Sequence, residues 1–204
     1  MTTILHIDAS ASDAETSHSR RLSAHFVERL KAAHGGVTVV RRDVVAETLP
    51  HVDTRIRQAW STEGERSTEL DEIGTRSRGL VDELKSADAI VVGSPMYNFT
   101  VPSTLKSWID HVAIAGQTFR YTEKGPEGLL SGKKVYLALS SGGVYSEGPA
   151  AGNEHLGTYL TAIFNFMGLT DVSIVRAEGT AMGPGKDAEA MEAAKAEFDR
   201  LVAG

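Results

Sequence analysis

The chain has 204 residues, 41% of them hydrophobic and 24% charged, with a formal net charge of −6 and no cysteine. That size and balance suit one folded domain over residues 1–204 with a full core, and the missing thiols exclude disulfides, thiolate catalysis, iron–sulfur clusters and cysteine-ligated zinc. The acidic balance, offset by no basic cluster larger than Arg20-Arg21, Arg41-Arg42 or Lys133-Lys134, argues against a nucleic-acid partner.

The first eight residues lack a basic leader and reach an acid at Asp8, so they read as a strand rather than a signal peptide. No apolar run approaches the roughly 18 residues of a membrane span. With nothing to mark an oxidising compartment, the cytoplasm is expected. Thr3 to Asp8 forms the first predicted strand. It leads through Ala9-Ser10-Ala11-Ser12 and Asp13-Ala14-Glu15-Thr16 to Ser17-His18-Ser19, where a helix with the stripe Leu22, Phe26, Val27, Leu30 begins. Hydroxyls and free N–H groups at a helix start suit a phosphate, because about half a positive charge resides there. The same serines also suit a plain N-cap.

Val37 to Arg42 is the second strand, and Leu70, Ile73, Leu80, Val81 and Leu84 mark the next helix. Ala89 to Gly93 is a near-continuous β-branched run, as in a strand buried on both faces. It breaks into Ser94-Pro95-Met96-Tyr97-Asn98-Phe99 before the stripe Leu105, Trp108, Ile109, Val112. The loop Met96 to Phe99 carries two aromatic faces, one amide and no carboxylate or ammonium, which fits a flat neutral ring better than a phosphate or a metal. Lys134 to Leu139 is the fourth strand and runs into Ser140-Ser141-Gly142-Gly143, where two glycines allow close main-chain approach to a ligand or simply a turn. Leu156 to Met167 is apolar around most of its circumference, so a long loop or a second subunit should cover its outer face. Val172 to Arg176 is the fifth strand, and Met191, Ala194, Phe198 and Leu201 mark the last helix. The connections 113–132 and 142–154 read as long loops, which in a compact domain usually serve function.

Alternating strands and helices predict an α/β, flavodoxin-like three-layer sandwich: a five-stranded parallel sheet in the order 2-1-3-4-5 with helices on both faces. That order places strands one, three and four side by side, so their three loops converge at one sheet edge. A phosphate at the first loop and a ring between the other two describe flavin mononucleotide (FMN). Rival motifs fail. No Gly-x-Gly-x-x-Gly follows the first strand, and the segment Gly128 to Lys134 is one residue short of a P-loop and precedes a strand. A phosphorelay receiver needs an Asp at the end of the third strand, where Gly93-Ser94-Pro95 stands. The seven histidines form no His-x-x-x-His pair, and no Gly-x-Ser-x-Gly elbow is present, so no metal site and no hydrolase are expected.

The segments Pro95-Met96-Tyr97-Asn98-Phe99, Ser140-Ser141-Gly142-Gly143 and Thr118-Phe119-Arg120-Tyr121-Thr122-Glu123-Lys124-Gly125-Pro126-Glu127-Gly128 resemble the FMN-dependent NADH-azoreductases, a family that is also one of NAD(P)H:quinone reductases. The resemblance implies bound FMN at Ser10, Ser17, His18, Ser19, Met96, Tyr97, Asn98, Phe99, Ser140, Ser141, Gly142 and Gly143, with NADH or NADPH as electron donor. It also implies a homodimer with the active site at the subunit interface, and Phe119, Tyr121 and Phe164 beside the quinone or azo substrate. No protein nucleophile is implied, and hydride transfer should be ping-pong. Ser141 stands where relatives often carry Arg; a contact made through its main-chain N–H would survive that change. A flavodoxin-type electron carrier without enzymatic activity is the competing reading.

Overall fold

The computed structural model describes residues 2–60 and 67–203; Met1 and Gly204, included in the expected 1–204 domain, lie outside them. Five parallel strands form the sheet: β1 (Thr2–Asp8), β2 (Val37–Asp43), β3 (Ala89–Pro95), β6 (Lys134–Ser140) and β7 (Asp171–Ala177), in the order β2-β1-β3-β6-β7. This is the expected 2-1-3-4-5 arrangement. Each strand extends the predicted one by one or two residues. The registers Asp8↔Gly93 and Pro95↔Ser140 bring the carboxyl ends of β1, β3 and β6 level with one another.

Alternate strand residues feed two cores. Ile4, Val91, Ala138 and Val175 face α1 (His18–Ala33) and α6 (Lys186–Ala203), where Leu22, Phe26, Leu30 and Phe198 are buried. Leu5, Ile7, Ile90, Val92 and Leu137 face α3 (Thr68–Ser86), α4 (Ser103–Val112) and α5 (Leu156–Phe166), which contribute Leu80, Leu84, Leu105, Trp108 and Leu160. A side chain such as Leu or Phe withdrawn fully from water contributes about 1.5–3 kcal/mol, so these two layers supply most of the driving force. Gly93 permits the close approach of β3 to α1: a Cβ there would stand 2.6 Å from Ser23 Oγ and 2.8 Å from Asp8 Oδ1.

Three expectations change. The connection 113–132 is no plain loop but holds an antiparallel hairpin, β4 (Phe119–Thr122) and β5 (Gly125–Gly128), in which Arg120 pairs with Glu127. Gly128 lies flat against the turn after α5, where a Cβ would overlap Gly168 N at 2.1 Å. A short helix, α2 (Thr54–Trp60), buries Ile56 and Ala59 where no element was predicted. Leu201, assigned to the last apolar stripe, is exposed, while Val202 packs against the core instead. Among the described residues no helix is long and apolar enough to cross a membrane.

Candidate functional site at the carboxyl ends of the strands

The first loop, between β1 and α1, is shaped by Asp13, whose Oδ1 accepts from the N–H groups of Glu15 and Thr16 and from Thr16 Oγ1 at 3.1, 2.8 and 2.6 Å. Ser17 is the N-cap of α1; its Oγ accepts from Arg20 N at 3.3 Å and lies 3.3 Å from Ser19 Oγ. Among the described residues the N–H groups of His18 and Ser19 have no protein acceptor. They are the free donors of a helix start, and His18 lines the cleft described below. Ser19 is wholly buried, so its hydroxyl serves Ser17 rather than a ligand directly.

Behind this loop lies a polar spine. Asp8 is buried, 2.8 Å from Ser23 Oγ and 3.3 Å from His6 Nε2, with Arg20 Nη1 at 3.8 Å and Arg41 Nη2 at 3.4 Å. Burial alone would push its pKa up. Hydrogen bonding and charge from His6, the hydrogen bond from Ser23 and the Arg20 cation outweigh that, and the carboxyl group ends below its ordinary value. Arg20 also donates to the Ser10 carbonyl from Nε at 3.2 Å and from Nη2 at 2.7 Å, which pins the loop to the sheet.

The third loop is a tight hairpin turn. Tyr97 and Thr100 exchange two main-chain hydrogen bonds, at 3.0 and 3.1 Å, around Asn98 (φ 48°) and Phe99 (φ 71°). Two successive positive φ values define a type I′ turn, usually Asn-Gly. Asn tolerates that conformation; Phe does so at a cost of about 1–2 kcal/mol. The turn leaves both its N–H groups without a protein acceptor among the described residues and holds the Phe99 ring half in solvent. Tyr97 Oη accepts from Ala11 N at 3.3 Å, joining the third loop to the first.

The fourth loop is held from behind by the segment after β7. Thr180 N and Oγ1 both donate to Ser141 O, Ala181 N donates to Gly142 O and Gly179 N to Gly143 O. Ser141 departs from expectation: its N–H is taken by the Ala177 carbonyl at 3.1 Å and its Oγ donates to Gly143 O at 2.8 Å, so it keeps no main-chain donor for a ligand. The N–H groups of Gly142 and Gly143 have no protein acceptor among the described residues.

These loops enclose a cleft of about 200 Å³ lined by Ser10, Ser12, Thr16, Ser17, His18, Met96, Tyr97, Ser140, Ser141, Gly142 and Thr180. The donors are hydroxyls and peptide N–H groups, and no carboxylate lines the wall. That set fits a phosphate monoester with a ring rich in carbonyl and imine acceptors, and it disfavours a metal ion. Ser12, Thr16 and Thr180 were not anticipated. The glycine-rich stretch from Gly179 to Gly185 was the only signal for the last of them, and it fails as a phosphate loop on spacing.

The residues expected beside a substrate part company. Phe119 is nearly buried, with its ring 4.5 Å from that of Phe166, and Tyr121 is exposed on the hairpin. Phe164 is fully buried in the core between α5 and the sheet and has no surface to offer a substrate. A second hollow of about 440 Å³, lined by Tyr97, Asn98, Thr100, Val101, Lys106 and Tyr159, opens on the other side of the third loop.

A doubly wound parallel sheet with a donor-rich cleft at its switch point defines a flavodoxin-like nucleotide-binding protein. The family model described as "Flavodoxin-like fold" matches residues 2–202. An FMN-dependent NADH:quinone oxidoreductase of Herminiimonas arsenicoxydans is 51% identical over 184 residues, which cover 90% of each chain. Among solved structures, an azoreductase of Bacillus anthracis superposes with a TM-score of 0.91 at 33% identity, covering 99% of each chain. A second B. anthracis structure, an FMN-dependent NADH-azoreductase in complex with FMN, gives 0.88 at 31% identity over 100% of this chain and 98% of that one. The chain belongs to the family of FMN-dependent NADH:quinone oxidoreductases, which the NADH-azoreductases share in fold.

Proposed function

We propose that this protein binds FMN in the cleft between the first, third and fourth loops and uses it to reduce quinones, and aromatic azo compounds, at the expense of NADH or NADPH. The observation that carries the reading is one acid-free cleft lined by hydroxyls and by His18 and Gly142, whose three loops hold six peptide N–H groups, from His18, Ser19, Asn98, Phe99, Gly142 and Gly143, without a protein acceptor among the described residues. Ser17 Oγ and the His18 N–H would hold the phosphate; the N–H groups of the third and fourth loops would meet the polar edges of the ring. When bound, FMN supplies the two-electron hydride chemistry. The protein holds the ring, presents aromatic surface from Tyr97 and Phe99, and supplies fixed dipoles where charge accumulates. A side chain acting as nucleophile is not needed.

Donor and acceptor would use the same open face in turn, so the kinetics should be ping-pong. Parallel initial-velocity lines support this, and intersecting lines refute it. The exposed Tyr121, with the half-buried Tyr159, Ile163 and Phe166 of α5, leaves apolar surface near the hollow beside the third loop. A second copy of the chain would cover it, making the active form a homodimer and the hollow part of a shared pocket. Analytical ultracentrifugation of the holoprotein tests that. The proposal sets the protein in the cytoplasm, where reduced nicotinamide is available.

The decisive experiment is anaerobic mixing of the purified yellow holoprotein with NADH. The reading requires bleaching within seconds and return of colour on adding benzoquinone. A flavodoxin-type carrier would stay yellow, and a colourless preparation that takes up no FMN would remove the cofactor from the reading.

A further inference from the structure

The connection from β6 to α5 leaves the fourth loop and carries an aromatic ring whose place is set by a residue just after β7. Tyr145 stands edge-on to Phe99, with ring centroids 5.9 Å apart and planes at 73°, and a Cβ on Gly143 would lie 3.2 Å from its Cε2. The ring therefore closes the gap between the third and fourth loops. Its main chain is held by Glu178, the first residue after β7, whose Oε1 accepts from both Tyr145 N at 2.9 Å and Ser146 N at 3.0 Å. At its far end the same connection is pegged by Glu154, which accepts from Gly157 N and Thr158 N at the start of α5. Ser146 to Pro149 between these pegs are exposed.

We infer that Tyr145 is a specificity-determining wall for the electron acceptor and that Glu178 is the positioning residue that holds it there. The inference rests on the reading that the cleft takes FMN. Two edge-to-face rings form a corner against which a planar acceptor gains contact in proportion to its area, so a two-ring quinone gains more than a one-ring quinone. Glu178 does not line the cleft. It acts through two charge-assisted hydrogen bonds to main-chain donors, and any side chain that can accept both should replace it.

The test compares kcat/KM for a naphthoquinone with that for benzoquinone in the holoprotein. Glu178→Ala and Tyr145→Ala should each lower the ratio about fivefold, the range expected for one aromatic contact. The double variant should be no lower than either single one, because both changes remove the same wall. Glu178→Gln and Tyr145→Phe should keep the ratio, since an amide oxygen still accepts and a phenyl ring still stacks. Independently of turnover, hydrogen exchange at the Tyr145 and Ser146 amides should accelerate at least about tenfold in Glu178→Ala and hold in Glu178→Gln. An unchanged ratio in Tyr145→Ala, additive losses in the double variant, or unaltered exchange in Glu178→Ala would each overturn the inference. Should Glu178→Ala fail to fold, the Tyr145 pair and the exchange in Glu178→Gln still decide it. Failure of the FMN reading shows separately, as a wild-type protein that takes up no flavin.

Discussion

Arg20 grips Asp43 with a two-pronged ion pair, Nη1 to Oδ2 at 2.7 Å and Nη2 to Oδ1 at 3.1 Å, while the same guanidinium donates to the Ser10 carbonyl. The pairing raises the pKa of Arg20 through its hydrogen bond to Asp43, against the opposing effect of burial. One planar cation thus ties α1, the end of β2 and the first loop together, a geometry that lysine cannot copy. Arg20→Lys is expected to weaken FMN retention about tenfold, because two of the bonds that shape the loop are lost and each is worth about 1.5–3 kcal/mol when made but only part is transmitted. Fluorescence titration of the apoprotein with FMN measures it. Wild-type affinity in that variant would mean that the loop holds its form without the anchor.

The two serines at the start of α1 should separate. Ser17 Oγ lies at the cleft and caps the helix, whereas Ser19 Oγ is buried behind it. Ser17→Ala is expected to lower stability by about 1 kcal/mol through the lost cap and to raise the dissociation constant for FMN about tenfold through the lost bond to a charged group. Ser19→Ala should leave the constant within about threefold, since its hydroxyl works only through Ser17. Equal losses in the two variants would contradict the division of roles.

The sheet order and the three converging loops were legible because the signals are local: β-branched runs such as Ala89 to Val92 and stripes such as Leu22, Phe26, Leu30 reveal burial over a few residues. The hairpin Phe119–Gly128 was not, since its strands are four residues long and one of them reads Gly-Pro-Glu-Gly. Phe164 misled because an apolar residue on an all-round apolar helix carries no mark of which side meets the sheet. The backing of the fourth loop by Gly179, Thr180 and Ala181 consists mostly of main-chain bonds across more than 35 residues of sequence, and side-chain patterns are silent about it. Ser141 shows the same limit, because only the register of β6 on β7 reveals that its N–H is already used.

His111 should make the fold sensitive to mild acid. In α4 its Nε2 lies 3.0 Å from the Pro50 carbonyl and therefore carries the proton, which leaves Nδ1 to accept from Ser77 Oγ at 2.8 Å. Burial pushes its pKa below the usual 6.5; the Pro50 hydrogen bond and the Asp110 charge oppose that, and the Arg76 cation adds to it. With the folded value depressed, the unfolded chain binds the proton first, so stability falls as pH drops below about 6.5 and the loss is complete below the folded pKa. Thermal unfolding at pH 7.5, 6.5 and 5.5 should show a declining midpoint, with a shallower slope in His111→Gln. Parallel slopes would assign the acid sensitivity to other groups.

The strained turn offers a test in which stability and function move apart. Phe99 adopts a left-handed conformation that glycine takes freely, and its half-exposed ring adds little to the core. Comparing Phe99→Gly with Phe99→Ala removes the ring from both variants and leaves the backbone conformation as the difference. The glycine variant should be about 1 kcal/mol more stable in urea unfolding, since alanine keeps the strain of the left-handed region. Both should lose several-fold in kcat/KM toward aromatic acceptors through the missing stacking contact, roughly 0.5–1.5 kcal/mol. That pattern would mean that the turn retains a costly residue because the ring it displays meets the acceptor. Equal stability of the two variants would show that the turn relaxes out of the left-handed region once the ring is gone, and full activity in both would remove Phe99 from the substrate face.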